Sequence, residues 1–170
     1  NNRGSLGTAI VRVFDLAVAS TGLTERQLQE KEWEYKAVHI VANNHAGYFP
    51  NATSITLKLL FNPKDGKIYG AQAIGKNGVD KRIDILATAI KANLGVEDLP
   101  ELEFTYAPPY GSAKDPVNMI GYVALNIMEG ISDTIQYYEL EEYMKNGAVL
   151  IDVRTSKEVE RLGKIKGAIT

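Results

Sequence analysis

The segment Ser54-Ile-Thr-Leu-Lys-Leu-Leu-Phe61 alternates apolar and polar side chains and runs into Asn62-Pro-Lys-Asp-Gly66, then Ile68-Tyr-Gly-Ala-Gln-Ala-Ile74. Period-two alternation places one set of side chains on one face of a strand. Pro63 presets φ at the turn and Gly66 accepts a positive φ, so the two runs read as an antiparallel hairpin. A hairpin with one apolar face has to bury that face under another layer. Residues 8–14 and 16–20, bending near Asp15, and residues 35–42 carry further β-branched runs and extend the sheet. His39 falls inside the last of these and reads as structural.

The covering layer comes from helices. Thr24-Glu-Arg-Gln27 has the form of a capping box and opens a short helix to about Glu30. Ile83, Leu86, Ala87, Ile90 and Leu94 recur at helical spacing, with Asp80 as the expected N-cap and Gly95 as the expected C-cap. Residues 102–104 are expected as a short strand. Asp115 and Pro116 open another helix as N-cap and N1, with a stripe of Val117, Ile120, Ala124, Ile127 and Ile131. Gly121 sits inside it and predicts close approach of another backbone. This helix is expected to pack on its own sheet and on a partner subunit, the alternative being one wet face.

Beyond Gly130 the pattern changes. Residues 135–138 read as extended, 139–145 as a short acidic helix with a wet face, 149–153 as a buried parallel strand and 156–162 as a helix. A β-α-β unit is expected to begin here and to be cut off, and the first residue, Asn rather than Met, leads us to expect an upstream segment. The expected fold class is α+β, an antiparallel sheet with helices on one face over residues 1–131, followed by a partial α/β segment over 132–170.

Composition narrows the chemistry. Nineteen basic against 21 acidic side chains in 170 residues offer no basic face for nucleic acid. No apolar run reaches the ~20 residues of a membrane span, and no signal pattern is visible, so the expected compartment is the cytoplasm. The absence of cysteine removes disulfides, thiolate metal ligands and a cysteine nucleophile, and two histidines are too few for a histidine-rich metal centre. No metal is expected. The glycines at 66, 70, 75 and 78 lack the spacing of a dinucleotide-binding loop.

Four stretches carry a resemblance: FDLAVASTGLTE (14–25), HAGYFPNA (45–52), DKRIDILATAI (80–90) and YAPPYGSAKDPVNMIGYVALN (106–126). Together they resemble the C-terminal dimerisation domain of flavoprotein pyridine nucleotide-disulfide oxidoreductases, most of all the coenzyme A-disulfide reductase branch, beside NADH oxidases and peroxidases. GAVLIDVRTSKEVERLGKIKGAI (147–169) resembles the opening of a rhodanese domain. The resemblance implies an enzyme with FAD-binding, NAD(P)H-binding, interface and rhodanese parts, acting as a two-fold homodimer on a coenzyme A-type disulfide or a persulfide. It places the redox cysteine in the FAD-binding part, so this chain alone is expected to hold no cofactor and to be inactive.

The resemblance also implies roles for single residues. In the coenzyme A-disulfide reductase branch two tyrosines of one subunit reach the partner's active site, and the matching positions are Tyr48 and Tyr106. A phenol is protonated at neutral pH and can donate to a departing thiolate. Prolines in the loop restrict its approach. The competing reading is that these tyrosines only bury area at an interface while keeping a polar tip. Pro108, Pro109, Tyr110 and Lys114 are the positions that would line the partner's flavin, though Tyr110 can equally pack on its own loop and Lys114 be solvated. Asp152 and Arg154 read as an ion pair orienting a loop, with no catalytic role. The rival functions are an NADH oxidase or peroxidase of the same fold, and a plain assembly module.

Overall fold

The structure, a computed structural model, describes residues 4–170, so the first three residues of the expected 1–131 domain lie outside it. The chain divides into a first unit ending at Asp133 and a second unit, Thr134–Thr170.

In the first unit β1 (Ala9–Val13), β2 (Leu16–Gly22), β3 (Lys36–Asn43), β4 (Ser54–Phe61) and β5 (Ile68–Gly75) form one antiparallel sheet in the order β1-β2-β5-β4-β3. The β4–β5 hairpin lies near its centre, as expected of the most strongly alternating segment. Ile55, Leu57, Leu59 and Phe61 of β4 are fully buried, and each such side chain contributes about 1.5–3 kcal/mol. They face α2 (Val79–Lys91) and α3 (Pro116–Met128), whose Val79, Ile83, Leu86, Val117, Ile120 and Ala124 close the same core. Leu60 points the other way in the pleat and packs on Leu28 of α1 (Glu25–Glu30). His39 is exposed on the open side of the sheet, opposite Lys58 in register.

Local signals set the helix ends. Thr24 accepts from Gln27 N–H, and the Gln27 side chain accepts from Thr24 N–H, closing the expected capping box. Asp115 and Asn118 do the same for α3, with Pro116 in its first turn. The α2 caps differ from expectation. Gly78 is the N-cap, at φ 76°, and Asp80 lies within the first turn, where its charge favours the helix N-terminus. At the other end Ala92 is the C-cap and Asn93 takes φ 57°. Asn93 N–H donates to Ile90 C=O and Leu94 N–H to Ala89 C=O, a Schellman closure built on Asn rather than Gly. Leu94 is therefore past the helix, and Gly95 bridges to Lys67 instead.

Residues 102–104 form no strand. A 3₁₀ turn, Leu99–Glu101, precedes them, and Asn118 Nδ2 donates to the carbonyls of Leu99 and Leu102 at 3.0 and 2.9 Å. A side chain has taken the acceptors a strand partner would need. Gly121 does mark a close approach: a Cβ there would meet Leu99 Cβ at 2.6 Å and Pro100 Cδ at 2.7 Å. Ile131 lies beyond α3 and is exposed.

The second unit holds α4 (Leu140–Lys145) and α5 (Ser156–Leu162), the latter opened by a Thr155–Glu158 capping box. Tyr137 and Tyr138 stand in the turn before α4 rather than in an extended run. Val149, Ile151 and Val153 are exposed, and only Ile151 pairs, in parallel with Ile169. The expected buried strand is thus a single bridge, because no layer covers it among the described residues. No helix there is long and apolar enough to cross a membrane.

Candidate functional site

The two expected tyrosines sit on separate loops at the same end of the first unit. Tyr48 belongs to the β3–β4 connection, and Tyr106 to the segment between the 3₁₀ turn and α3. Both are open to solvent, Tyr48 at 79 % and Tyr106 at 51 % of full exposure. The Tyr106 side chain stands beside that of Tyr48, and this neighbour, with slight desolvation, raises the Tyr48 pKa above the ordinary tyrosine value. Residues 58 positions apart in the chain are thereby brought side by side.

Each loop is braced from within. Phe49 N–H donates to Ala46 C=O at 2.9 Å, turning the chain through Gly47 and Tyr48. His45 is buried, with Nε2 3.1 Å from Pro50 C=O and its ring edge-on to Phe49. A carbonyl only accepts, so Nε2 carries the proton. In the second loop, Tyr110 and Gly111 N–H both donate to Ala107 C=O, closing a turn across Pro108 and Pro109. The loops also bond to each other, Ala46 N–H to Gly111 C=O at 2.9 Å.

Beneath them lies a buried ion pair. Arg82 of α2 is 1 % exposed and meets Asp115 through Nε–Oδ1 at 3.2 Å and Nη2–Oδ2 at 2.7 Å. Arg82 Nη2 also donates to Asn44 C=O at 2.8 Å, and Nη1 to Gly78 C=O at 3.2 Å. Arg82 is not among the site residues expected from the sequence. The signal was there: Val79, Arg82, Ile83, Leu86 and Ala89 share the buried face, and a charge on an apolar stripe requires a buried partner.

Pro108 is half-buried, while Pro109, Tyr110 and Lys114 are exposed. Tyr110 presents 74 % of its surface, and Lys114 Nζ stands 4.6 Å over the Tyr122 ring. The structure therefore does not gather these four residues with Tyr48 and Tyr106 into a pocket. Two clefts, of about 790 and 580 Å³, lie elsewhere, one beside Asp65, Lys91 and Glu97, the other between residues 150–154 and 162–168. Gly70 and Gly75 are strand residues of β5. What the loops offer is a pair of hydroxyls and a proline-aromatic edge, presented outward. In the second unit Arg154 and Asp152 form the expected ion pair, at 2.6 Å, and it holds the Asp152 carboxyl at a pKa of about 2.

The first unit is thus an antiparallel sheet under two helices, with both tyrosine-bearing loops facing outward at one end. Residues 8–116 match the pyridine nucleotide-disulphide oxidoreductase dimerisation domain, and the chain belongs to that family. Within it, the coenzyme A disulfide reductase of Staphylococcus haemolyticus is 42 % identical over 125 residues, which are 74 % of this chain and 28 % of that protein. The structure of reduced Bacillus anthracis CoADR-RHD superposes with a TM-score of 0.95 at 57 % identity, covering 98 % of this chain and 30 % of that one. The NAD-dependent persulfide reductase from A. fulgidus gives a TM-score of 0.87 at 37 % identity, over 98 % of this chain and 29 % of its own. The chain spans less than a third of each of these relatives.

Proposed function

We propose that this chain is the interface part of an FAD- and NAD(P)H-dependent reductase of coenzyme A-type disulfides or persulfides, working as a two-fold homodimer. The observation that carries the reading is the exposed, neighbouring Tyr48–Tyr106 pair on two loops bonded to each other. Likeness to a coenzyme A disulfide reductase and to a persulfide reductase supports the substrate class, and coverage of 98 % of this chain by two such structures supports reading the second unit as the start of a rhodanese-like domain. We place the reaction in the cytoplasm, where thiols are kept reduced.

When bound by the other parts of the enzyme, the flavin supplies electrons from the nicotinamide to a disulfide. The residues of this chain do not build its site; Pro108, Pro109 and Tyr110 offer an exposed edge suited to lie against a flavin held by the partner, and Lys114 a cation beside it. The chain's own contribution is a proton. Splitting a disulfide releases a thiolate, which is a better leaving group when a donor stands at its sulfur. A phenol with a raised pKa retains its proton across neutral pH, and the neighbouring phenol can stabilise the phenolate left by transfer.

The test uses the assembled flavoenzyme dimer and NAD(P)H-dependent reduction of coenzyme A disulfide. Tyr106→Phe and Tyr48→Phe are expected to lower kcat by roughly 10²–10⁴-fold, the range for a positioned general acid. The double variant is expected to lose less than the product of the two, since the hydroxyls act as one pair. Full turnover in both single variants would leave only an assembly role.

A further inference from the structure

We propose that Arg82 is a positioning residue for the tyrosine pair, fixing the two tyrosine-bearing loops in one register from beneath. The inference rests on the proton-donor reading of Tyr48 and Tyr106. Among the described residues, the Arg82 side chain bonds to both loops' anchor points: Asn44, four residues before Tyr48, through its carbonyl, and Asp115, nine after Tyr106, through its carboxylate.

The chemistry explains why this residue is an arginine. Its donors lie in one plane in fixed directions. Nε and Nη2 take the two oxygens of Asp115, the second Nη2 proton takes Asn44, and Nη1 takes Gly78 C=O. A lysine ammonium at the same depth is a single point and cannot hold a carboxylate face-on while reaching a carbonyl of another loop. Gly78 makes room for the fork, since a Cβ there would lie 2.5 Å from Arg82 Nη1. Asp115 is in turn fixed as the cap of α3, accepting from Val117 N–H at 3.0 Å. The far end of the Tyr106 loop is tied by Asn118 to the Leu102 carbonyl. The loop carrying Tyr106 is thus held at both ends, and Arg82 supplies the tie that also reaches the Tyr48 loop, at Asn44. Burying a charge pair is a poor route to stability, because apolar packing of equal volume serves as well. Its return here is geometry: two exposed tyrosines stand side by side only if both loops keep their places.

The test reads geometry separately from stability. In the 170-residue chain, labelled at tyrosine ¹³Cζ, the Tyr48 resonance is titrated by NMR. Arg82→Lys is expected to bring its titration down toward the ordinary tyrosine value of about 10, as Tyr106→Phe does directly. Leu59→Ala, a cavity in the sheet core away from these loops, is the control that lowers stability and leaves the Tyr48 titration in place. Asp115→Asn, which retains a capping oxygen, is the second variant and is expected to act like Arg82→Lys. In the assembled enzyme Arg82→Lys is expected to lower kcat about 10²-fold with the nicotinamide KM unchanged, as for a donor displaced by ~1 Å. A Tyr48 titration unmoved by both Arg82→Lys and Asp115→Asn, or moved equally by Leu59→Ala, overturns the positioning role. If instead Tyr106→Phe retains full turnover, the donor reading itself fails, whatever the titrations show.

Discussion

Single residues divide sharply in what they gave away. Asp115-Pro116 announces a helix start by chemistry alone, and the structure caps α3 there. Arg82 carries a weaker signal: its place on the stripe of Val79, Ile83, Leu86 and Ala89 calls for a buried partner, but the spacing does not say that the partner is Asp115. Asp115→Ala is expected to destabilise the chain by about 3–5 kcal/mol in urea unfolding, because it leaves Arg82 buried and unpaired. Gly121→Ala tests the close contact on α3. Alanine gains about 1 kcal/mol of helix propensity, but its methyl would lie within 2.7 Å of Leu99 and Pro100, and overpacking costs about 1–3 kcal/mol. A net loss is expected, where an open site would show a gain. For Asp152 the folded pKa is depressed to about 2, so its contribution is complete above the ordinary aspartate range and is lost as pH falls through 4 toward 2. The Asp152 carboxyl resonance in an NMR titration of the folded chain is expected to have its midpoint near pH 2 rather than near 4.

Elements were most legible where one periodicity ran long. The strands β1 to β5 follow alternation and β-branching, the capping box of α1 follows from Thr24 and Gln27, and the start of α3 follows from Asp115-Pro116. The misses have local causes. Residues 102–104 looked like a strand, but their flanking carbonyls go to Asn118. Residues 149–153 looked buried because a continuous apolar run is ambiguous about what covers it. The α2 ends were misplaced because Gly78 and Asn93, not Asp80 and Gly95, carry the positive φ values that turn the chain. That assignment can be checked. Asn93→Val is expected to cost about 1–2 kcal/mol, the penalty of a left-handed conformation for a residue other than Gly or Asn, whereas Asn93→Gly is expected to be tolerated.

For the whole molecule, the sheet and helices form a scaffold that holds both tyrosine-bearing loops at one end. The tyrosine pair was legible only through motif resemblance, because two tyrosines in separate loops carry no spacing signal; their standing side by side is a product of the fold. The central claim is that these hydroxyls serve the partner subunit. Hybrid dimers test it most directly. One subunit carries Tyr48→Phe with Tyr106→Phe and keeps its redox cysteine; the other keeps both tyrosines and lacks that cysteine, so each parent homodimer is crippled. Service across the two-fold axis predicts that the hybrid recovers one working site, about half the activity of the unaltered dimer. A hybrid no more active than its parents would contradict the account.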